Sequence, residues 1–449
     1  KYEFALISML RTHTCGELSK VDAGQEVVLC GWIDSVRVSG KIGFLDIRDR
    51  YGKTQVFLNK ELAANAGSLH NEDFVMIKGL VKARPENQVK GTGTLEIELS
   101  ASNLEVLNAS ETPLPIEISE DTTTHIDKRL DNRFLDIRRE KIRSIFAVRS
   151  RIYSETVAFF IKSGFVNIQT PKVTASGVES GAEEFKFDYF GKPAALAQSP
   201  QVYKQMMIAG GFDRVFELGT VFRAENSHTR RHLTEFTGLD FEMGCIESES
   251  DVMDMIEKYF THLIAGIKEK CNGELSLLGA ELADVKEGSI PRLAMSEVKA
   301  WIKEARGKEL SVEDDLDSEA ETILGELVKE KYGADFVFVT NYPYAVRPFY
   351  HMKPEGKADE TKSFDLLFRG VEIATGAQRE HRLEKLEAQC AEKGIDLSKM
   401  TFYRDIFRFG CPPHGGVGMG LDRITSRLLN LDNVREAILL PRDPDRLTP

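Results

Sequence analysis

Apolar and polar residues alternate along five short segments between residues 26 and 107, with Gly or Asp-Arg turns between them. Alternation with a period of two is typical of strands that bury one face. Five short strands within about 80 residues fit a small closed barrel. An OB-fold is the candidate that we favour, with another small barrel or a sandwich as the alternative.

A different pattern follows the last of these segments. The next stretch is polar and contains Pro113 and Pro115, which stiffen it as expected of an interdomain hinge. Apolar residues then recur at helical spacing from Ile142 to Phe159, which predicts a helix of about twenty residues. Beyond it, strands and helices mix without regular βα alternation. This favours an α+β domain over a doubly wound parallel sheet.

These patterns divide the chain into a leader, two domains and a hinge. The predicted limits are 1–9 for the leader, 10–108 for the OB-fold barrel, 109–135 for the hinge and 136–449 for the α+β domain. Residues 270–335 are polar and acidic with a weak helical pattern. We expect them to be a peripheral insertion that carries no chemistry.

Composition narrows the class of protein. Of 449 residues, 42% are hydrophobic and 29% are charged, which is ordinary for a globular protein. No apolar run reaches the ~18–20 residues that span a membrane, and the first residues lack the basic region and cleavage site of a signal peptide. The formal charge of −12 argues mildly against a protein that binds nucleic acid only through its phosphate backbone. A large acidic protein can still carry a local basic face, so nucleic-acid binding stays possible.

Six cysteines are scattered along the chain without a CxxC pair. Such spacing indicates reduced thiols in a cytoplasmic protein and argues against structural zinc.

The densest cluster of chemically informative residues is VFRAENSHTRRHLTEFTGLDFEM, residues 221–243. Arg223 and Glu225 are two apart, so on a strand they would share a face, and a plain cross-strand ion pair is the alternative. The following segment predicts a second strand with Phe236, Asp240 and Glu242 on one face. These residue types suit a nucleotide, with Arg for phosphate, Glu for the adenine amino group and Phe for stacking on the ring.

Two further clusters offer a helix face and a set of oxygen ligands. In LAQSPQVYKQ, Gln201 and Lys204 are three apart, on one face of a helix that starts there. The alternative is an ordinary solvated helix face. In SFDLLFRGVEIATGAQREHR, the oxygens of Asp365, Glu372 and Thr375 suit magnesium shared with phosphates. A surface ion-pair network is the alternative there.

The last cluster is GCPPHGGVGMGLDRITSRLL, residues 410–429. Gly416, Gly418 and Gly420 permit close approach of backbone to a ligand and lead into a helix that carries Arg423. The segment matches neither the dinucleotide-binding nor the P-loop glycine motif. Arg423 offers a second cation for a triphosphate, apart from Arg223.

Taken together, "TPK", then FRAE…RH…EF, then GxGLDR resemble the three signature motifs of class II aminoacyl-tRNA synthetases. The resemblance covers residues 10–449. QSPQVYK, EIATGAQREHR and LPRDPDRLTP look specifically like aspartyl-tRNA synthetases of the archaeal/eukaryotic type, whose catalytic domain lacks the bacterial insertion. In the barrel, RTHTCGEL, LCGW and ARPE look like the bacterial enzymes. The resemblance implies a barrel that binds the anticodon and a catalytic domain with an antiparallel sheet flanked by helices.

Family roles carry over onto matching positions. The implied catalytic residues are Arg223 and Arg423. The implied ATP-binding residues are Arg223, Glu225, His232, Phe236, Glu372 and Arg423. The implied aspartate-binding residues are Glu179, Gln201, Lys204, Asp240, Thr375 and Arg379. Magnesium would be held by Glu372, Thr375 and, as a weaker candidate, Asp365. The anticodon would be read by Phe44, Gln55 and Glu96.

The expected activity is ligation of L-aspartate to the 3′-hydroxyl of tRNA through an adenylate made from ATP, with Mg²⁺, in a cytoplasmic homodimer. Some members of the family charge aspartate tRNA alone, whereas others also charge asparagine tRNA. Three alternatives stay open. One is an asparaginyl-tRNA synthetase, and another is a catalytically inactive paralogue that acts as an RNA-binding module. The third is a tRNA-independent ligase that makes asparagine, against which the anticodon-type barrel argues.

Overall fold

A computed structural model of the chain describes residues 10–89, 91–176, 183–224, 226 and 229–449. Contacts within the chain divide it into two compact units, with the boundary between Glu117 and Ile118. Across the part of the chain that is described, none of the helices has the length and apolar content that a membrane crossing requires.

The first unit is a closed barrel of five strands in the order β1-β2-β3-β5-β4, closed by pairing of β1 with β4. All neighbours are antiparallel except β3 and β5. The barrel predicted from the alternation is therefore confirmed. Its elements are β1 (Glu26–Ser39), β2 (Ile42–Arg48), β3 (Lys53–Leu58), α1 (Lys60–Asn65), β4 (Phe74–Ala83) and β5 (Ile97–Asn108).

Alternation along each strand builds the interior of the barrel. On β2, Leu45 and Ile47 are fully buried, while the alternate residues Phe44 and Asp46 face outward and are half-buried. The register of β1 against β2 shifts between Ile33 and Ser35, so the intervening residue lies in a β-bulge. A bulge re-aims the side chain that it carries.

The second unit is built on an eight-stranded sheet in the order β12-β13-β14-β15-β16-β11-β10-β6. Its six central strands are antiparallel, as expected for this fold, while the two edge pairs β12–β13 and β6–β10 are parallel. A separate three-stranded sheet has the order β7-β9-β8. The strands are β6 (Val166–Asn167), β7 (Val173–Ala175), β8 (Lys186–Tyr189), β9 (Lys192–Leu196), β10 (Arg214–Phe222), β11 (Glu235–Gly244), β12 (Arg292–Ala294), β13 (Phe336–Thr340), β14 (Ser363–Phe368), β15 (Glu372–Gln378) and β16 (His414–Gly420).

Helices pack against this sheet, so the α+β class predicted from the sequence is confirmed. They are α2 (Ile126–Asp131), α3 (Arg133–Asp136), α4 (Glu140–Lys162), α5 (Gln201–Ala209), α6 (Glu249–Lys270), α7 (Asn272–Leu278), α8 (Met295–Arg306), α9 (Ser318–Tyr332), α10 (Leu383–Glu392), α11 (Thr401–Arg408) and α12 (Leu421–Leu428).

The long helix predicted from apolar spacing is α4. It buries Ile142, Ile145 and Ile152 toward α6 and the sheet, in one core with Phe241 of β11. Three-to-four-residue spacing puts these side chains on one stripe of the helix, which removes the stripe from water. The sheet strands that carry the site are thereby packed against a layer of helices.

The predicted domain limits remain a prediction. Residues 109–117 belong to the first unit, and residues 126–136 of the proposed hinge form α2 and α3 in the second unit. Arg129 of α2 pairs with Asp136 and also donates to Glu436 at 2.9 Å. This ties the start of the second unit to its end.

The segment 270–335, read from sequence as a peripheral insertion, supplies the edge strand β12 and helices α7, α8 and α9. α8 and α9 bury Val298, Ile302 and Leu324 in a cluster of their own. Glu321 of α9, however, reaches the strands that carry the candidate site.

Candidate active site

The second unit contains a cavity of about 500 Å³ above the central strands of the sheet. This volume is within the range of small-molecule sites. The structure brings nine of the residues to which the resemblance assigned a role into its lining: Gln201, Arg223, His232, Phe236, Asp240, Glu372, Thr375, Arg379 and Arg423.

Four charged side chains form what we call the inner network: Lys204, Asp240, Glu242 and Arg379. The Lys204 ammonium, 2% exposed, donates to Asp240 Oδ1 at 2.9 Å and lies 3.4 Å from Glu242 Oε2. Arg379 Nε donates to Glu242 Oε1 at 3.0 Å. Lys204 itself does not line the cavity, whereas its partner Asp240 does, so Lys204 lies behind Asp240 as seen from the cavity. Two buried cations and two buried carboxylates balance here, as buried charges must.

The sequence singled out Lys204, Asp240 and Arg379 but gave Glu242 no role. Burial by itself would raise the pKa of the Glu242 carboxyl, but Arg379 and Lys204 outweigh burial and hold that pKa below its usual range. Glu242 is therefore ionised and fixes both cations. Its even spacing from Asp240 on β11 was the available signal.

His351 is a second residue that the sequence did not reveal. Its Nε2 lies 2.9 Å from Nη1 of Arg379 and accepts its hydrogen, and its main-chain carbonyl accepts from Gln389. Burial, helped by the charges of Arg379, Arg347 and Lys204, lowers the pKa of His351 well below its usual value. The imidazole is therefore neutral and orients the guanidinium of Arg379.

Glycines on β16 make room for the carboxylates of the inner network. β16 pairs with β11 so that Gly418 lies opposite Asp240 and Gly416 opposite Glu242. A Cβ on Gly416 would overlap the Glu242 carboxylate, and one on Gly418 would lie 3.2 Å from Asp240 Oδ1. The glycine spacing that the sequence showed is thus explained by a close approach of side chain to backbone.

At the open end of the cavity stand Arg223 and Arg423, which we call the outer arginines. Arg223 follows β10 rather than lying on it, a correction to the strand position expected from spacing. It is exposed, and its guanidinium lies 5.4 Å from the ring centre of Phe236. Arg423 is half-buried and donates to the Glu372 carbonyl at 3.0 Å.

His232 lies near these arginines, and its Nδ1 is 2.5 Å from Thr229 Oγ1. Helix α12, which carries Arg423, is fixed by the neighbouring Asp422. That carboxylate accepts from Arg149 of α4 at 2.6 Å and from the Thr237 amide at 2.8 Å. The amide belongs to the strand that carries Phe236, so this strand and α12 are held together.

Two oxygen ligands lie together on β15. Thr375 Oγ1 donates to Glu372 Oε1 at 3.1 Å, and both residues line the cavity. Asp365 lies opposite Thr375 on β14, but it is buried, outside the lining, and accepts from Arg347 at 2.5 Å. Two open hard ligands fit a magnesium ion that takes its other ligands from phosphate and water. Within the described residues, no group of three or more His, Cys, Asp or Glu side chains could cage a metal.

Glu321 stands behind this pair, although its segment was expected to carry no chemistry. Its carboxylate accepts from Arg231 at 3.2 Å and from the Glu372 amide at 3.3 Å. Burial, with repulsion from the Glu372 carboxylate, raises the pKa of Glu321 to about 7. Glu321 therefore links helix α9 to the open end of the cavity.

Glu179 and Glu225, predicted to bind the amino acid and adenine, lie outside the described residues. Gln201 is buried on α5, in the helix predicted for it, and its Nε2 has no hydrogen-bond partner among the described residues. An orphaned buried donor at a cavity wall is a group that a ligand can satisfy.

The three residues expected to read an anticodon belong to the first unit. Phe44 packs edge-on against Phe57 with ring centres 5.7 Å apart. Gln55 accepts from Arg84 at 2.9 Å. Glu96 lies just before β5, where its carboxylate accepts from the Gly93 amide at 3.1 Å. Phe44 and Gln55 share the outer face of the β2–β3 pair, where a stacked base could lie.

Asp34, the residue of the β1 bulge, lies near this face. Its two oxygens accept from Arg48 at 3.1 Å and from Lys53 at 2.6 Å. Arg48 also pairs with Glu72. The acid is thus neutralised by cations of the barrel itself, which accounts for an acidic group close to a surface expected to meet phosphates.

Comparisons with known proteins agree with this geometry. Residues 125–444 match the family of class II tRNA synthetases (D, K and N), and residues 27–107 match the OB-fold nucleic acid binding domain. The chain is 42% identical over 446 residues to an aspartate–tRNA(Asp) ligase of Pyrococcus abyssi, which covers 98% of this chain and 100% of the relative. It is 40% identical to an aspartate–tRNA(Asp/Asn) ligase of Aeropyrum pernix, over 95% of this chain and 96% of the relative.

Solved structures match at similar coverage. The asparaginyl-tRNA synthetase of Pyrococcus horikoshii complexed with asparaginyl-adenylate superposes with a TM-score of 0.89 at 31% identity, over 98% of this chain and all of that one. The aspartyl-tRNA synthetase of Entamoeba histolytica gives 0.85 at 34% identity, over 96% and 91%. The expected catalytic fold, the OB-fold barrel and the enzyme class are confirmed, and the chain belongs to the class II aminoacyl-tRNA synthetases of the aspartate, lysine and asparagine group.

Proposed function

We propose that the chain is an aspartate–tRNA ligase, which activates L-aspartate with ATP and transfers it to the 3′-hydroxyl of tRNA. The inner network carries this proposal. When the ammonium of aspartate pairs with Asp240, the Lys204 ammonium loses part of its partner. The side-chain carboxylate of aspartate, bound by Arg379 of the cavity lining, then compensates the positive charge of this network. Asparagine, with a neutral side chain, would leave that buried cation under-compensated, which is costly. Relatives at about 40% identity over their full length are named aspartate–tRNA ligases, which supports the same substrate.

In the first step, the α-carboxylate of aspartate attacks the α-phosphorus of ATP. The bond to the β-phosphate oxygen breaks, and pyrophosphate leaves. Arg223 is exposed beside Phe236, where it can meet the α-phosphate of a nucleotide stacked on that ring. Arg423 stands by Glu372, where it can meet the leaving end. No protein nucleophile is needed, since positioning and charge stabilisation supply the rate.

Class II synthetases use ATP as a substrate and generally use Mg²⁺. Glu372 and Thr375 are the residues that would hold the ion in this chain, with Asp365 as a weaker candidate because Arg347 already occupies one of its oxygens. Magnesium, when bound, would neutralise charge on the phosphate oxygens. The roles of Glu179 and Glu225 stay part of the same proposal.

Exchange of labelled pyrophosphate into ATP tests the activity. We expect exchange to depend on L-aspartate and to be at least a hundredfold slower with L-asparagine. Faster exchange with asparagine would favour the asparaginyl alternative. No exchange with either amino acid, in a chain that still binds tRNA, would favour the inactive RNA-binding alternative.

We further propose that the barrel binds the anticodon through Phe44, Gln55 and Glu96, and that it reads both aspartate and asparagine tRNA. The two tRNAs differ at the third anticodon base, C against U. Asp34 is occupied by Arg48 and Lys53, so it is a poor reader of that base. Relatives at 39–42% identity carry both kinds of name, tRNA(Asp) and tRNA(Asp/Asn).

Aspartylation of an aspartate tRNA transcript and of the same transcript with only that base changed from C to U measures the breadth. One base contact supplies roughly 1–3 kcal/mol, so we expect a preference below about a hundredfold, or ~2.7 kcal/mol. A larger preference for C would mean strict reading.

The homodimer and the cytoplasmic location are proposals of the same kind. Tyr153, Ile161, Val166 and Val173 leave apolar surface exposed along α4, β6 and β7, a face that a second copy could cover. Light scattering of the purified chain should give twice the chain mass of 50.4 kDa. All six cysteines are free, which fits a reducing compartment.

A further inference from the structure

A second, smaller cavity of about 290 Å³ lies beside the main one and shares Arg231, Arg423 and Val434 with it. We call it the anion pocket. Its other lining residues are Arg230, Val371, Ser426, Arg427 and Asp432. Among the described residues that line it, four are arginines and Asp432 is the one acid. None of the roles assigned above uses Arg230 or Arg427.

The arginines of the anion pocket are poorly compensated by the protein. Arg231 pairs with Glu321, and Arg423 lies 4.0 Å from the Glu372 carboxylate. Arg427 donates to the Leu431 carbonyl at 2.9 Å and, like Arg230, has no ion pair within the described ranges. Arginines that meet carbonyls keep their full positive charge, so the pocket carries an excess of cations.

Two arginines of the anion pocket crowd one face of α12. Arg423 and Arg427 lie four residues apart on α12, so they share one face, and like charges at that spacing destabilise a helix. Burial, together with the charges of Arg231 and Arg369, lowers the pKa of Arg427. Apolar residues at these positions would pack without such repulsion. Arg427 has a structural contact with the Leu431 carbonyl, but that contact does not balance its charge, so the excess of cations favours an anionic ligand.

We propose that the anion pocket binds the phosphate groups of inorganic pyrophosphate. The shared wall of Arg231 and Arg423 joins the pocket to the main cavity at Arg423, the residue to which the proposed function assigns the leaving end of ATP. Guanidinium groups bind phosphate oxygens through paired, charge-assisted hydrogen bonds. This inference rests on the proposed adenylation, since pyrophosphate is its leaving group. The pocket gives that product a place to move away from the reacting α-phosphate.

Calorimetric titration of the full chain with sodium pyrophosphate, without ATP or aspartate, tests this site. Arg427→Gln should weaken pyrophosphate binding at least tenfold, and Arg230→Gln at least threefold. Because Arg427 also holds the Leu431 carbonyl, the exposed Arg230 supplies a variant that leaves the packing unchanged. Arg408→Gln is the matched control. It removes the same charge from an exposed position that lines neither cavity, and it should bind like wild type.

Steady-state kinetics with ATP and tRNA complete the test. The KM for ATP should stay within about twofold in both pocket variants, because neither residue lines the main cavity. Pyrophosphate affinity that is unchanged in both variants overturns the inference, and so does a rise confined to the KM for tRNA, which would assign the pocket to nucleic-acid phosphate. Failure of the proposed function is seen separately, as the absence of aspartate-dependent ATP consumption in wild type.

Discussion

In the inner network, Lys204 and Arg379 are buried and each meets a carboxylate, whereas the outer arginines stand in partly open positions, and Arg423 donates to a main-chain carbonyl. A buried cation that loses its partner is expensive, while an exposed one is solvated. The inner charges are therefore interdependent, and a change to one affects stability and substrate choice together. The outer arginines can change the rate with little effect on folding.

Removing the lysine of the inner network should give the largest effect. Lys204→Met leaves Asp240 without its cation and weakens the hold on Glu242. We expect a loss of at least about 3 kcal/mol in transition-state stabilisation, or more than a hundredfold in kcat/KM for aspartate. Pyrophosphate exchange measures this loss. The melting temperature should fall as well, because a buried carboxylate loses the cation that balances its charge.

Lys270→Met serves as the control for Lys204→Met. Lys270 also pairs with a buried carboxylate, Glu155 at 2.8 Å, but it lines neither cavity. The Lys270→Met variant should exchange pyrophosphate at the wild-type rate. Near wild-type exchange by Lys204→Met would remove the inner network from the aspartate site.

The outer arginines should differ from each other. Arg223→Ala is expected to lower the rate of adenylate formation about a hundredfold, because charge develops at the α-phosphate in the transition state. Arg423→Ala should lower it less and should raise the KM for ATP instead. Single-turnover formation of the adenylate separates the two effects. A larger fall in kcat for Arg423→Ala would mean that their roles are reversed.

The smallest effect should come from His351, at the edge of the inner network. Its pKa is lowered in the folded chain, so below the ordinary value of 6.5 the unfolded chain binds the extra proton. Stability therefore falls as pH drops through that value, by about 1.4 kcal/mol for one such histidine between pH 8 and 5.5. His351→Gln can still accept from Arg379 but cannot titrate.

Urea unfolding at pH 8 and pH 5.5 measures this difference. The variant should lose about 1.4 kcal/mol less than wild type over that interval, with its KM for aspartate little changed at pH 8. His414, whose pKa burial also lowers, keeps part of the acid sensitivity in both proteins. Equal losses in variant and wild type would mean that His351 takes up its proton while folded.

The parts of the site that are formed by residues close together in the sequence could be predicted. The apolar spacing of α4 and the three-residue spacing of Gln201 and Lys204 correspond to real helices. The resemblance assigned roles to residues that the structure brings into one cavity. The alternation predicted five strands between residues 26 and 107, and the five strands of the barrel run from Glu26 to Asn108.

Contacts between residues that lie far apart in the sequence could not be predicted from local patterns. Glu242 and Arg379 are 137 residues apart, and their pairing depends on the strand order of the sheet. His351 and Glu321 belong to segments whose local pattern carries no signal, since only the fold brings them to Arg379 and Arg231. Arg223 was expected on a strand, but β10 ends one residue earlier, at Phe222.

The glycines of β16 limit how this protein can evolve. Every missense change at Gly416 or Gly418 adds at least a Cβ, and at each position that atom meets a carboxylate of the facing strand. Single substitutions at these two positions therefore cannot change the shape of the amino-acid pocket in small steps. At Gly416 the added atom would also overlap the main-chain oxygen of Phe241, so no change of side chain on the facing strand would free that position.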